Sequence, residues 1–183
     1  MVRVASPARS PFFGDQMFEM KIQIHATPRW IADQLDDDQD FVLVVHDAIC
    51  GALTESGSAS FLTKGFGQER WPVDLVHDFS ILLPDIVSVL RSIANNSRCE
   101  LNFPEQGIQR VIDLKPQADS ILLHCRSGTT WSPNPDKIDM PQAMFLNMLR
   151  RVLTDYKSAA EQVVPNLASN RLFVEWAREW RDL

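Results

Sequence analysis

Two histidine–aspartate pairs, His46-Asp47 and His77-Asp78, carry the side chains of this chain that are best suited to metal chemistry. Imidazole and carboxylate groups bind divalent cations, and a bound metal can activate water for hydrolysis. Such a site needs further ligands at matched spacing, whereas His46 ends a predicted strand and His77 begins a predicted helix. Chance occurrence therefore explains the pairs best. A metal-dependent hydrolase with an unrecognised site around these four residues is kept as the alternative.

The acidic run from Asp36 to Asp40 suggests a different chemistry. Asp36, Asp38 and Asp40 match the opening of a calcium-binding loop. The sixth position of that loop would be Phe41 in place of the glycine that makes its sharp turn, and the twelfth would be Asp47 in place of glutamate. We therefore interpret the run as a solvated acidic turn, and we predict neither a metal nor any other cofactor.

The sequence lacks the usual motifs for nucleophilic catalysis and for phosphate or zinc binding. It contains no Gly-x-Ser-x-Gly, and Gly65-Phe66-Gly67 lacks the third glycine and the preceding strand of a phosphate-binding loop. His124 and Cys125 are adjacent, so on one strand their side chains point to opposite faces. These observations predict a protein that is not an enzyme.

Composition limits the partners and the compartment. The 183 residues carry a net charge of −6 with a pI of about 5.2, which argues against general affinity for nucleic acid or anionic membranes. No apolar run approaches the roughly 18 residues that a membrane-spanning helix needs. The three cysteines have no regular spacing and are poor material for a disulfide framework. A cytoplasmic, reducing environment is therefore expected.

The first third of the chain predicts strands and a long irregular segment. Apolar and polar residues alternate from Phe18 to His25, which predicts a strand with one wet face. Thr27–Leu35 is typical of a short helix, and the continuous apolar run Phe41–Val45 predicts a buried strand. From Ala48 to Gly67 small and polar residues predict a long surface loop, with at most a short strand at Phe61-Leu62.

The segment from Pro72 to Cys125 predicts a helix that packs on an antiparallel sheet. Apolar residues recur at spacings of three and four from Val76 to Ile93, which indicates one amphipathic helix. Pro84 lies inside this pattern and removes a backbone hydrogen bond, so the helix should be kinked there. Three short β-rich runs follow this helix: Cys99–Phe103, Ile108–Leu114 and Ser120–Cys125.

Two more helices are predicted near the C-terminus. The first begins around Pro141 and keeps helical spacing of apolar residues until Pro165. The second covers about Asn170 to Leu183 and places Trp176 and Trp180 on one face.

Together these elements predict an α+β fold, in which a mostly antiparallel sheet of about five or six strands packs against a kinked central helix and a C-terminal helix pair. Residues 17–183 would form a single domain. Residues 1–16 would form an irregular leader, because two prolines and a glycine oppose regular structure there. Cys99 and Cys125 lie in predicted strands and are expected in the core.

In size, acidity, missing catalytic motifs and α+β build, the chain resembles the small single-domain immunity proteins of bacterial contact-dependent or type VI polymorphic toxin systems. The segments that carry the resemblance are Phe18–His25, the Val76–Ile93 helix with its three strands, and the ending with Trp176 and Trp180. The resemblance implies an antitoxin that neutralises a cognate toxin by direct binding. It assigns no functional residue.

The prediction for function is accordingly a non-catalytic protein-binding module, with an oligomeric accessory protein as a further alternative. Its partner would be another protein with a basic surface, such as a toxin, because acidic residues lie in or beside the predicted loops. Either the wet face of the sheet or the Ala48–Gly67 segment would be the functional surface. The candidate partner-binding residues are Asp36, Asp37, Asp38, Asp40, Glu55, Glu69, Trp71 and Asp74.

Overall fold

The computed structural model describes residues 17–25, 42–181 and 183. The predicted leader over residues 1–16, the predicted helix Thr27–Leu35 and the acidic run Asp36–Asp40 lie outside these residues. The candidate partner-binding residues that can be placed in the fold are therefore Glu55, Glu69, Trp71 and Asp74.

The described residues form helices and two antiparallel sheets, which confirms the predicted α+β class. The elements follow one another in the order β1 (Glu19–Ile24), α1 (Val42–Glu55), β2 (Ala59–Lys64), a π-helical turn (Leu75–Phe79), α2 (Ser80–Ala94), β3 (Cys99–Phe103), β4 (Arg110–Pro116), β5 (Ser120–Ser127), β6 (Lys137–Pro141), α3 (Gln142–Val163), a 3₁₀ turn (Leu167–Ser169) and α4 (Arg171–Arg181).

The sheets are separate. β1 and β2 pair as a two-stranded ribbon in which Glu19 lies opposite Lys64. The second sheet has the order β3-β4-β5-β6, so each strand pairs with its neighbour in sequence. The three strands predicted after the central helix are all present. The prolines between Trp131 and Lys137 predict a turn or an edge strand there, whereas the fourth strand, β6, begins at Lys137.

The central helix is continuous through Pro84, as predicted, and its irregular start is a π-helical turn. The N–H of Ser80 donates to the carbonyl of Leu75, five residues back, and the Ser80 hydroxyl donates to the carbonyl of Val76. Asp74 begins the turn by accepting a hydrogen bond from the N–H of His77 at 2.7 Å.

Two predictions for the first third of the chain are wrong. Val42 to Val45 belong to α1, not to a strand, because the residues buried along α1 recur at helical spacing: Val45, His46, Ile49, Cys50 and Leu53. A continuous apolar run as short as Phe41–Val45 shows neither the two-residue period of a strand nor the 3.6-residue period of a helix. Two of its residues, Leu43 and Val44, are exposed. The predicted Ala48–Gly67 loop is the second half of α1, all of β2 and a tight turn.

α3 closes one edge of the two-stranded ribbon. The backbone N–H of Met20 in β1 points away from β2 and donates to the sulfur of Met148 in α3 at 3.2 Å. The core lies between the ribbon, the helices and the inner face of the four-stranded sheet. Cys125 is buried there as predicted, whereas Cys99 is only partly buried.

A close backbone crossing joins the turn after β2 to the loop between β5 and β6. The N–H of Asn134 donates to the carbonyl of Phe66 at 2.9 Å. Gly67 has a φ of +81°, and a Cβ atom built on it would lie 2.2 Å from the carbonyl oxygen of Asn134. Only glycine fits this position, because a side chain would be strained by the dihedral angle and would also clash with the backbone.

We expect Gly67→Ala to lower the free energy of unfolding by about 3 kcal/mol or more, since it adds a steric clash to the strain of a positive φ. Gly57→Ala is the matched control. Gly57 also has a positive φ, of +64°, but its added Cβ would meet nothing within 4 Å. The control should cost only about 1 kcal/mol. Urea denaturation of both variants measures the difference, and equal losses would contradict the proposed crossing.

Candidate functional site

The outer face of the four-stranded sheet is the most regular exposed surface in the described part of the chain. Inner positions along each strand are buried, for example Ile112, Leu114 and Leu123. The alternating outer positions are exposed or half-buried, and they are mostly polar or charged. They comprise Glu100, Asn102, Val111, Asp113, Lys115, Leu122, His124, Arg126, Lys137 and Asp139.

Ion pairs connect neighbouring strands across the middle of this face. Arg126 in β5 donates to both carboxylate oxygens of Asp113 in β4, at 2.8 and 2.9 Å, and lies 3.9 Å from Glu100 in β3. The ring of His124 lies between two carboxylates, 3.5 Å from Asp113 and 3.6 Å from Asp136. These five residues, Glu100, Asp113, His124, Arg126 and Asp136, are called the outer-face network below.

The outer-face network has an acidic balance. It contains three carboxylates and a single guanidinium, besides the imidazole of His124. The hydrogen bonds from Arg126 lower the pKa of Asp113, so this carboxylate is firmly ionised at neutral pH. The side chains stay accessible, with 58% exposure at Glu100 and 57% at Asp136. Val111 and Leu122 add partly buried apolar area on the same face.

The placed acidic candidates lie in three different segments of the fold. Glu55 is the exposed last residue of α1, and Asp74 begins the π-helical turn. Glu69 lines a shallow surface groove together with Glu19, Lys21, Lys64 and Arg70, so its surroundings carry charges of both signs.

Trp71 is not available to a partner, which corrects its prediction as a partner-binding residue. It is 1% exposed, because its indole N–H donates to the carbonyl of Gly65 at 3.1 Å and its ring packs against Phe103 at 5.2 Å. Its position beside the predicted helix and strands suggested partial exposure, but the ring is buried in the core.

The two histidine–aspartate pairs have unrelated environments. His46 is buried, and its Nδ1 lies 3.0 Å from the hydroxyl of Tyr156, whereas His77 is exposed and pairs with Asp74 at 3.0 Å. This hydrogen bond raises the pKa of His77, while burial raises the pKa of Asp78. In the part of the chain that the structure describes, no group of three or more metal-ligating side chains comes together.

Arg110 is a buried charged residue that the sequence did not single out. It is 2% exposed, although it begins β4 on the inner face. Its guanidinium carbon lies 4.3 Å from the ring centre of Trp71 and 3.5 Å from that of Trp131, and its Nη2 donates to Gln68 at 2.7 Å. Burial lowers its pKa to about 10, so the side chain is still a cation at neutral pH. The two indole faces stabilise this charge in place of a carboxylate.

Comparison with models of known protein families, with curated proteins and with solved structures finds no match to this chain. Among the helices described, none combines the length and apolar character needed to cross a membrane.

We expect Arg110→Lys to lower the free energy of unfolding by about 2 kcal/mol, because a compact ammonium group cannot contact both indole rings while it donates to Gln68. Arg126→Lys, on the outer face, is the matched control. Arg126 is exposed, so its ion pairs are screened by water and the midpoint of denaturation should stay within experimental error. Urea denaturation followed by tryptophan fluorescence tests both variants, and equal shifts would show that the stacked position of Arg110 contributes nothing.

Proposed function

We propose that this chain is a non-catalytic protein-binding module, an immunity protein that neutralises a cognate bacterial toxin in the cytoplasm by direct binding, and that it binds through the outer face of the four-stranded sheet. The observation that carries the proposal is the outer-face network: five polar side chains, from three neighbouring strands and the loop before β6, held in contact on an exposed and regular surface.

A surface of this kind suits protein recognition because its side chains are ordered before binding. The ladder pairs Asp113 with His124 and Val111 with Arg126, so the sheet fixes the spacing of the charged groups. The two-point hydrogen bond from Arg126 to Asp113 restricts both side chains further. Less conformational entropy is then lost on association, which favours affinity.

The excess of carboxylates in the outer-face network favours a partner with a basic surface. Carboxylates outnumber the guanidinium in the outer-face network, and Glu100 and Asp136 are the most exposed of them. Lysine or arginine side chains of a basic protein would complement these groups. Val111 and Leu122 would contribute apolar contact area between them. The net charge of −6 would also accelerate encounter with a basic partner.

The proposal is tested by co-expression with the product of the adjacent gene. We expect a stable complex and rescue of growth if that product is toxic. The double variant Glu100→Lys/Asp136→Lys should weaken the complex about tenfold or more, because it reverses two exposed charges at the interface. Affinity is measured by titration calorimetry at two salt concentrations, and the weakening should be larger at low salt.

Glu55→Lys/Glu69→Lys is the matched control, since it makes the same charge change at exposed positions away from the network. It should leave the affinity unchanged. The reverse result, with the control weakened and the network variant intact, would move the binding surface to the acidic residues predicted from the sequence. A neighbouring product that is neither toxic nor bound would show that the immunity function is wrong.

A further inference from the structure

His46 is enclosed where three helices meet. It lies in α1 and has no exposed surface. Its Nδ1 is 3.0 Å from the hydroxyl of Tyr156 in α3, and its ring meets the edge of Trp176 in α4 with ring centres 4.6 Å apart. Its second nitrogen, Nε2, has no hydrogen-bond partner among the described residues. A charged imidazolium carries a proton on both nitrogens, and among the described residues the Nε2 proton would have no acceptor.

Among the described residues, the groups around the ring do not compensate a positive charge. The titratable side chains near it are Tyr156 from α3 and Cys50 from the next turn of α1, and burial raises the pKa of both, so both are neutral. α4 presents the uncharged Trp176, and Asp47, the neighbour in sequence, is exposed. Burial is the cause of the low pKa of His46, about 4.

We propose that α4 is an acid-released helix: protonation of His46 separates α4 from α1 and α3 and uncovers the aromatic face formed by Phe173, Trp176 and Trp180. Moving α4 outward hydrates the ring of His46, because Trp176 is the side chain that packs on the ring from that helix. Displacing α3 would instead disrupt its packing on β1, β5 and β6.

α4 packs on the core through Phe173, Trp176, Ala177 and Trp180, whereas its polar attachments are few and easily exchanged for water. Arg150 donates to the carbonyl of Leu183 at 2.7 Å, and the ion pair between Arg91 and Glu179 is an exposed one at 3.6 Å. The indole N–H groups of Trp176 and Trp180 are buried without partners in the described structure, so they gain hydrogen bonds when α4 moves out.

The connection before α4 is suited to a hinge. Asn166, between α3 and the 3₁₀ turn, has a φ of +60°, and the chain leaves helical geometry again at Asn170 before α4 begins. A change of backbone dihedrals at these two positions can reorient α4 as a unit.

The direction of the pH effect follows from linkage. The closed state holds His46 with a pKa of about 4, and the open state has a pKa near the ordinary value of 6.5. The stabilisation that neutral His46 gives to the closed state is therefore complete above about pH 6.5, and it is lost progressively as the pH falls toward 4. The ratio of open to closed molecules should rise by up to about tenfold for each pH unit in this range, or roughly 300-fold in total.

Hydrogen exchange followed by mass spectrometry tests the proposal between pH 7 and pH 4.5, with rates corrected for intrinsic exchange. We expect amides of α4 to lose protection on acidification while amides of β4 and β5 keep theirs. His46→Gln, which stays neutral, should abolish the change, and His77→Gln should not. His46→Phe is a second neutral variant in case the glutamine is not tolerated.

Two results would overturn the proposal. In one, α4 and the sheet lose protection together, which would be global acid unfolding. In the other, both neutral variants retain the acid response of the wild type.

Discussion

The structure depends on the enclosure of the Arg110 guanidinium between two tryptophan rings. The two sheets share no ladder of backbone hydrogen bonds, so side chains and loops must hold them together. Arg110 belongs to the four-stranded sheet, whereas Trp71 and Gln68 follow the two-stranded ribbon, and Trp131 comes from the loop before β6. A buried cation is costly to hold, and it is tolerated here because two indole rings, inclined at 62° to each other, contact the guanidinium and Gln68 accepts one of its hydrogen bonds. The interaction fixes where the ribbon ends against the sheet.

The elements that the sequence predicts correctly are those in which clearly apolar side chains occupy the buried positions of the repeat. The alternation from Phe18 to Ile24 and the three- and four-residue spacing from Val76 to Ile93 both match the observed elements. The sequence did not predict α1, because half of the residues on its buried face are His46, Cys50 and Ala52. These side chains are polar or small and give only a weak apolar pattern. In β2 the buried positions alternate correctly, but Ala59 and Thr63 are too small or too polar to reveal it.

The candidate site was predictable only in outline. Alternation along β4 and β5 already shows that Asp113, His124 and Arg126 share the wet face of a sheet. Their contacts depend on the pairing register of the two strands, in which Asp113 lies opposite His124, and a shift of one residue would exchange the faces. The burial of Arg110 could not be predicted from the residues around it. An arginine at the start of a strand is expected at the surface, and this one is buried only because segments distant in sequence cover it.

The hydrogen bond from Met20 to the sulfur of Met148 gives the ribbon an unusual boundary. A free strand edge is a template for adding strands from other molecules, and α3 blocks this edge with a soft thioether instead of a charge. Oxidants convert a thioether to a sulfoxide, which is larger, polar and chiral. Oxidation of Met148 would therefore weaken the protection of this strand edge and favour aggregation. Methionine sulfoxide reductases could reverse the oxidation and restore the protection.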